Sequence, residues 1–157
     1  MDELKLQNAK AVYTMICDSL DKLEWKYTKN EEELKVECGA RGEDLPIDLV
    51  IKCHVDMQLF QLFSHLPFNI PEDKRIDFAI VTAYVNNKMV DGCFDYNVMD
   101  GSLFFRMTNS FNGGKLGFET IKYLIFCACA TIDAYNDKFL MVAKGILSLE
   151  KFLSDEV

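Results

Sequence analysis

The sequence predicts an α+β fold. An N-terminal helix is followed by an antiparallel sheet of about five to six strands with helices mainly on one face, in the order α-β-β-β-β-α-β-β-α-α. Three observations predict it. Apolar residues alternate with polar ones at period two through 45–66 and again through 93–110. They recur at helical spacing through 3–23, 71–88 and 116–153. The alternating stretches are joined by short turns rather than by helices, so neighbouring strands run antiparallel.

Residues 3–23 form the first helix, whose stripe is Ala9, Val12, Tyr13, Ile16, Leu20 and Leu23 with charges opposite. Trp25 and Tyr27 alternate with Lys26 and Thr28 in a short strand. Leu34, Val36 and Cys38 then form a second strand with one wet face. Residues 39–44 are expected as a loop. Residues 45–55 alternate most clearly: Leu45, Ile47, Leu49, Ile51, Cys53 and Val55 face one way. Asp48, Val50, Lys52 and His54 face the other. A two-residue turn at Asp56-Met57 would set Cys53 opposite Phe60 and Ile51 opposite Leu62.

Pro71 suits a first helical turn, with Glu72 and Asp73 complementing the helix dipole. The stripe of that helix is read as Ile76, Ala79, Ile80, Ala83 and Tyr84. In the next hairpin, Asp100-Gly101 as a type I′ turn would pair Val98 with Leu103, Tyr96 with Phe105 and Phe94 with Met107. Asp95 would then stand opposite Arg106. The last helical region, 116–153, is expected to break at Tyr135-Asn136-Asp137, where poor helix formers cluster. Around 121–132 it is apolar nearly all round and is expected to be buried on more than one side.

Length and composition bound the rest. The 157 residues fit one domain with one core. The formal net charge of −8 disfavours phosphate backbones and anionic membranes, so neither nucleic acid nor a membrane is expected as a partner. The opening MDELKLQNAK lacks the apolar segment of a secretory signal. The six cysteines, Cys17, Cys38, Cys53, Cys93, Cys127 and Cys129, contain no C-x-x-C. Cys127 and Cys129 lie about 200° apart around a helix, unsuited to one metal. Reduced structural thiols in a cytoplasmic protein are expected, with no cofactor and no metal.

No constellation suggests catalysis. His54 and His65 fall far apart along their hairpin, and Gly113-Gly114-Lys115 lacks the other residues of a phosphate loop. Asp91, Asp95 and Asp100 have turn or ion-pair explanations. Asp133, Tyr135, Asn136, Asp137 and Lys138 form a polar group read as a helix break with side-chain caps. The alternative is that they border a small-ligand or enzyme pocket between sheet and helices. One feature resists a purely structural reading. The outer sheet face carries Val50, Leu59, Phe63 and Phe104, and too few helices remain to cover both faces. Either the C-terminal segment covers these residues or they meet a partner, a second subunit or a client protein.

Five blocks in order carry a family resemblance: LPIDLVIK at 45–52, LPFNIPEDKRID at 66–77, NNKMVDGCFDYN at 86–97, DGSLFFRMTNSF at 100–111 and CATIDAYNDKFLMVAKG at 129–145. They resemble the YbjN-domain family, most closely its Gram-positive members of similar size, over nearly the whole chain from about Trp25. The family is described as candidate bacterial sensory transduction regulators. Its fold is similar to that of type III secretion chaperones, small acidic proteins that commonly form homodimers and bind peptide segments of client proteins. The resemblance implies a protein-binding or regulatory module in bacterial signalling or stress regulation. It supplies no catalytic residue.

Overall fold

The computed structural model describes residues 3–154. Helix α1 (Glu3–Lys22) leads into strands β1 (Tyr27–Asn30), β2 (Lys35–Arg41), β3 (Pro46–His54) and β4 (Leu59–His65). A 3-10 turn at Glu72–Lys74 opens helix α2 (Arg75–Lys88), and β5 (Cys93–Tyr96), β6 (Leu103–Ser110), α3 (Phe118–Ala143) and α4 (Leu149–Ser154) follow. The strands form one antiparallel sheet in the order β1-β2-β3-β4-β6-β5. The fold class and element order are those expected. Strand β2 extends to Arg41, further than the expected loop allowed.

Period-two alternation decides which face is covered. Val36, Ile47, Leu49, Ile51, Cys53, Phe60, Leu62, Phe94, Leu103, Phe105 and Met107 point to one side and are buried. They share a core with Val12, Ile16 and Leu20 of α1, Phe78, Val81 and Val85 of α2, Ile121, Leu124, Ile125 and Phe139 of α3, and Phe152 of α4. Aromatic rings centre it. Phe139 meets Phe94 edge-on at 4.9 Å and Phe78 at 5.2 Å.

Three of the four hairpins use a four-residue loop whose last residue is left-handed: Leu34 (φ 49), Gln58 (φ 51) and Gly101 (φ 78). Asn30 pairs Lys35 and His54 pairs Leu59 at two of the loops. At the third, Asn97 donates its N–H to Ser102 O at 3.0 Å. For β3 and β4 the longer loop leaves the expected pairs unchanged, Cys53 with Phe60 and Ile51 with Leu62. A two-residue and a four-residue loop at this site put the same strand residues opposite each other. For β5 and β6 the expected register is wrong by two residues: Phe94 pairs Phe105 and Tyr96 pairs Leu103. The side-chain network explains the longer loop. Asp100 accepts from the Ser102 N–H at 2.8 Å and Asn97 Oδ1 accepts from the Met99 N–H at 3.0 Å. Arg75 donates to Met99 O at 2.6 Å, and Ile70 N–H donates to Gly101 O at 2.8 Å.

The helices correct three expectations. In α2 the buried stripe is Phe78, Val81, Thr82 and Val85, while Ile76 is 70% exposed and Ile80 46%. The helix carries two apolar stripes, and the one taken into the core holds Phe78, Val81 and Val85. Helix α3 runs unbroken through Tyr135-Asn136-Asp137. Poor propensity costs tenths of a kcal/mol per residue, far less than the burial of Ile132 and Phe139 on either side gains. The break falls at Gly145 (φ 70), where Gly145 N–H donates to Val142 O and Ile146 N–H to Met141 O, a Schellman cap. Finally, α3 is buried on one side only: Tyr123 and Phe126 are exposed. Ile146, just past the end of α3, is exposed too.

Candidate protein-binding face

The sheet face opposite the helices is uncovered. The C-terminal helices pack onto the inner face, so the expectation that they shelter Val50, Leu59, Phe63 and Phe104 does not hold. All four are half-buried.

Strand register places them. Val50 is directly opposite Phe63 across β3 and β4. Phe63 is opposite Arg106 across β4 and β6, and Arg106 is opposite Cys93 across β6 and β5. On the far side Val50 faces Glu37 of β2. Phe104 is two residues from Arg106 on β6, diagonal to Phe63 and within reach of a long side chain. It packs edge-on against His65 at 4.7 Å. The structure therefore brings Val50, Phe63 and Phe104 together. Leu59 stands apart, about 13 Å along β4 from Phe63, flanked by His54 and Ser110. The His54 ring and Gln61 Oε1, 2.8 Å apart, form a polar bridge between Leu59 and the other three.

Several charges around the apolar centre are bonded to one another. Lys35 meets Glu33 at 3.2 Å and Glu37 at 3.0 Å. Arg106 donates to both oxygens of Asp95, Nε to Oδ2 at 2.5 Å and Nη2 to Oδ1 at 3.0 Å. These bonds hold the Asp95 carboxyl below the ordinary carboxylate range. Arg106 Nη2 also donates to Cys93 Sγ at 3.3 Å, while burial pushes the Cys93 thiol up, against any role as a thiolate nucleophile. The arrangement is an apolar centre bordered by two bonded charge groups, Lys35 with Glu33 and Glu37 and Arg106 with Asp95, and by Lys52 and Asp48 of β3.

The polar group on α3 does something else. Asp133 Oδ1 accepts from the Glu43 N–H at 2.8 Å and so fixes the β2–β3 loop against the helix. Tyr135 stacks on Phe139. Asn136 is buried with neither amide atom bonded. These residues neither cap a helix end nor converge on a common point. Among the described residues no group of three or more His, Cys, Asp or Glu side chains stands close enough to hold a metal ion. None of the described helices is long and apolar enough to cross a membrane.

Sequence reasoning missed two further exposed apolar strips. One comprises Tyr123 and Phe126 on α3 together with the fully exposed Val90. The other is Ile76 and Ile80 on α2. The signal was present in both: a helix apolar nearly all round, or apolar on two stripes, has more apolar surface than one core contact can take.

An open six-stranded antiparallel sheet backed on one face by helices in this order is the fold shared by YbjN and the type III secretion chaperones. Among solved structures, YbjN from E. coli superposes with a TM-score of 0.60 at 11% identity, over 84% of this chain and 92% of that one. A chain of the HopA1–SchA chaperone–effector complex gives 0.55 at 14% identity, over 82% of this chain and 95% of its own. A chain of the ExsC–ExsE complex gives 0.54 at 8% identity, over 80% and 91%. The likeness read from the sequence blocks is thus met in the fold, and at these identities it is a likeness of fold. No protein-family model matches the chain, and no curated protein matches it in sequence.

Proposed function

We propose that the chain is a non-catalytic protein-binding module, chaperone-like or regulatory, that works in the bacterial cytoplasm as a homodimer. It captures a segment of a client protein on the open sheet face. The observation that supports this most is the half-buried cluster of Val50, Phe63 and Phe104 on a face no helix covers, bordered by the Lys35–Glu37 and Arg106–Asp95 ion pairs. Leaving large apolar side chains partly wet forgoes stabilisation of up to about 1.5–3 kcal/mol each. A contiguous patch of this kind on a folded domain generally has a use. Two of the proteins with similar folds are in complexes with another protein, one of them a chaperone with its effector. Fold likeness alone does not fix function, so the weight rests on the face itself.

The test is a pair of substitutions, Leu59→Lys and Phe63→Glu, in one chain. Both side chains point away from the core, so the fold should persist. Sedimentation then reads self-association, and affinity capture from a native lysate reads the client. A folded double variant that associates and captures as the wild type does would place binding elsewhere.

A further inference from the structure

The outer side of α3, which faces away from the sheet, is a second apolar surface. Tyr123, Phe126, Ala130 and Ala134 recur along it at spacings of three and four, so they share one stripe, and all four are exposed. The large side chains occupy the first half of the stripe and the small ones the second. Val90, fully exposed, flanks it from the α2–β5 connection. Two shallow hollows of about 360 and 490 Å³ lie along the stripe and share Tyr123, Cys127 and Ala130.

Both aromatic side chains are held in place. The Tyr123 hydroxyl donates to Asp91 Oδ2 at 3.0 Å, and Phe126 meets the Trp25 ring edge-on at 6.2 Å. Exposed aromatic anchors already fixed by contacts from other elements lose little freedom on binding, which suits them to an interface.

We propose that this face takes a second copy of the chain, the two α3 helices crossing antiparallel about a two-fold axis level with Ala128. Such an axis sets residues equally far on either side of Ala128 against each other. Phe126 then meets Ala130 of the second copy, and Tyr123 comes within one residue of its Ala134. Large side chains fill the space over small ones, twice, by symmetry. A parallel pairing would instead set Phe126 on Phe126 and leave the surface over Ala130 and Ala134 empty. Charge follows the same register. Lys122 comes within one residue of Asp133 of the second copy, and Glu119 falls against its Asp137 and Lys138. Each end thus interleaves two lysines with three carboxylates. The excess of one carboxylate, and the −8 on each copy, make the pairing stronger in salt. A contact limited to one helix and one turn lies at the low end of interface sizes, so the dimer is weak and reversible. The proposal rests on the homodimer in the reading above and gives it an interface on the opposite side of the sheet from the client.

The experiment is sedimentation of the full chain from about 1 to 100 μM, at low and high salt. A concentration-dependent dimer that tightens with salt is expected. Ala130→Arg alters only an exposed position of the monomer but closes the space that Phe126 enters. It should fold, by circular dichroism, and raise the dissociation constant at least about tenfold. Lys122→Glu should fold and raise it several-fold. Cys127, one residue from the axis, should be joined to Cys127 of the second copy by a short bismaleimide, and Cys127→Ser should remove that product. The Leu59→Lys, Phe63→Glu variant should dimerise as the wild type does while losing client capture, so the two readings fail separately. A wild type that stays monomeric throughout, a folded Ala130→Arg that dimerises equally well, or a crosslinked product that survives Cys127→Ser would overturn the proposal. So would a monomeric wild type that retains a lysate protein which Ala130→Arg loses, because the face would then belong to a client.

Discussion

Arg106 binds Asp95 on a diagonal: it stands opposite Cys93 across the β5–β6 ladder, and its guanidinium reaches past to take both carboxylate oxygens one step along the strand. Because Arg106 holds Asp95 below its ordinary range, the folded state binds this proton less readily than the unfolded chain does. The pair's contribution is therefore fully present above the unfolded value, about pH 4, and is lost as pH falls through the lower folded value. The Asp95 side chain is 46% exposed, so solvent screens the pair. Asp95→Asn should cost about 0.5–1 kcal/mol at neutral pH, less in high salt, and progressively less as pH falls below about 4. Urea midpoints of both proteins across pH check it. An equal difference at every pH would show that packing, not charge, is at stake.

Gly101 closes the β5–β6 loop at φ 78, and a Cβ there would run into the carbonyl of Ile70, whose N–H bonds Gly101 O. Gly101→Ala should therefore cost about 2 kcal/mol or more: roughly 1–2 for the left-handed backbone and the rest for the displaced Ile70 segment. A denaturant midpoint unchanged within error would contradict this loop geometry.

Asn136 is buried in α3 with its amide unbonded at both ends. An unsatisfied buried amide costs about 1–3 kcal/mol, and an apolar side chain of similar volume removes the cost. Asn136→Leu should raise the unfolding free energy by about 1 kcal/mol or more. A clear loss of stability in thermal and urea unfolding would mean that the amide serves the folded state.

The six cysteines are free, and Cys17 and Cys53 are buried. Burial pushes Cys38 and Cys53 up to about 12, so neither is a thiolate at neutral pH. Without reductant, thiol titration should count six in denaturant and fewer fast-reacting ones in the native protein. A shortfall of two or more in denaturant would reveal a disulfide.

The strands were largely legible in the sequence because alternation survives errors in loop length. Taking 56–57 as the whole β3–β4 turn still set Cys53 opposite Phe60, and sliding β5 against β6 by two residues kept Phe94 and Phe105 on one face. The Asp95–Arg106 pair was found despite the wrong register because a diagonal partner is also within reach. Helix faces were less legible. Phe78 and Ile80 lie on different stripes of α2, and composition alone does not say which one meets the sheet. The α3 break was placed on weak propensities at 135–137, although Gly145 carried the stronger physical signal, a residue free to adopt positive φ. The apolar outer face was readable from Val50, Phe63 and Phe104. That Leu59 stands apart from them was not, because it follows from the His54–Gln61 contact and from distance along β4.

The central claim is that the open sheet face captures a protein segment. Wild type and the Leu59→Lys, Phe63→Glu double variant should be used side by side as bait in a native lysate, with circular dichroism and melting confirming that both are folded. The account expects a protein retained by the wild type and lost by the folded variant. Retention of the same protein by both, or no retained protein but a small metabolite that raises the melting temperature of the wild type, would contradict it.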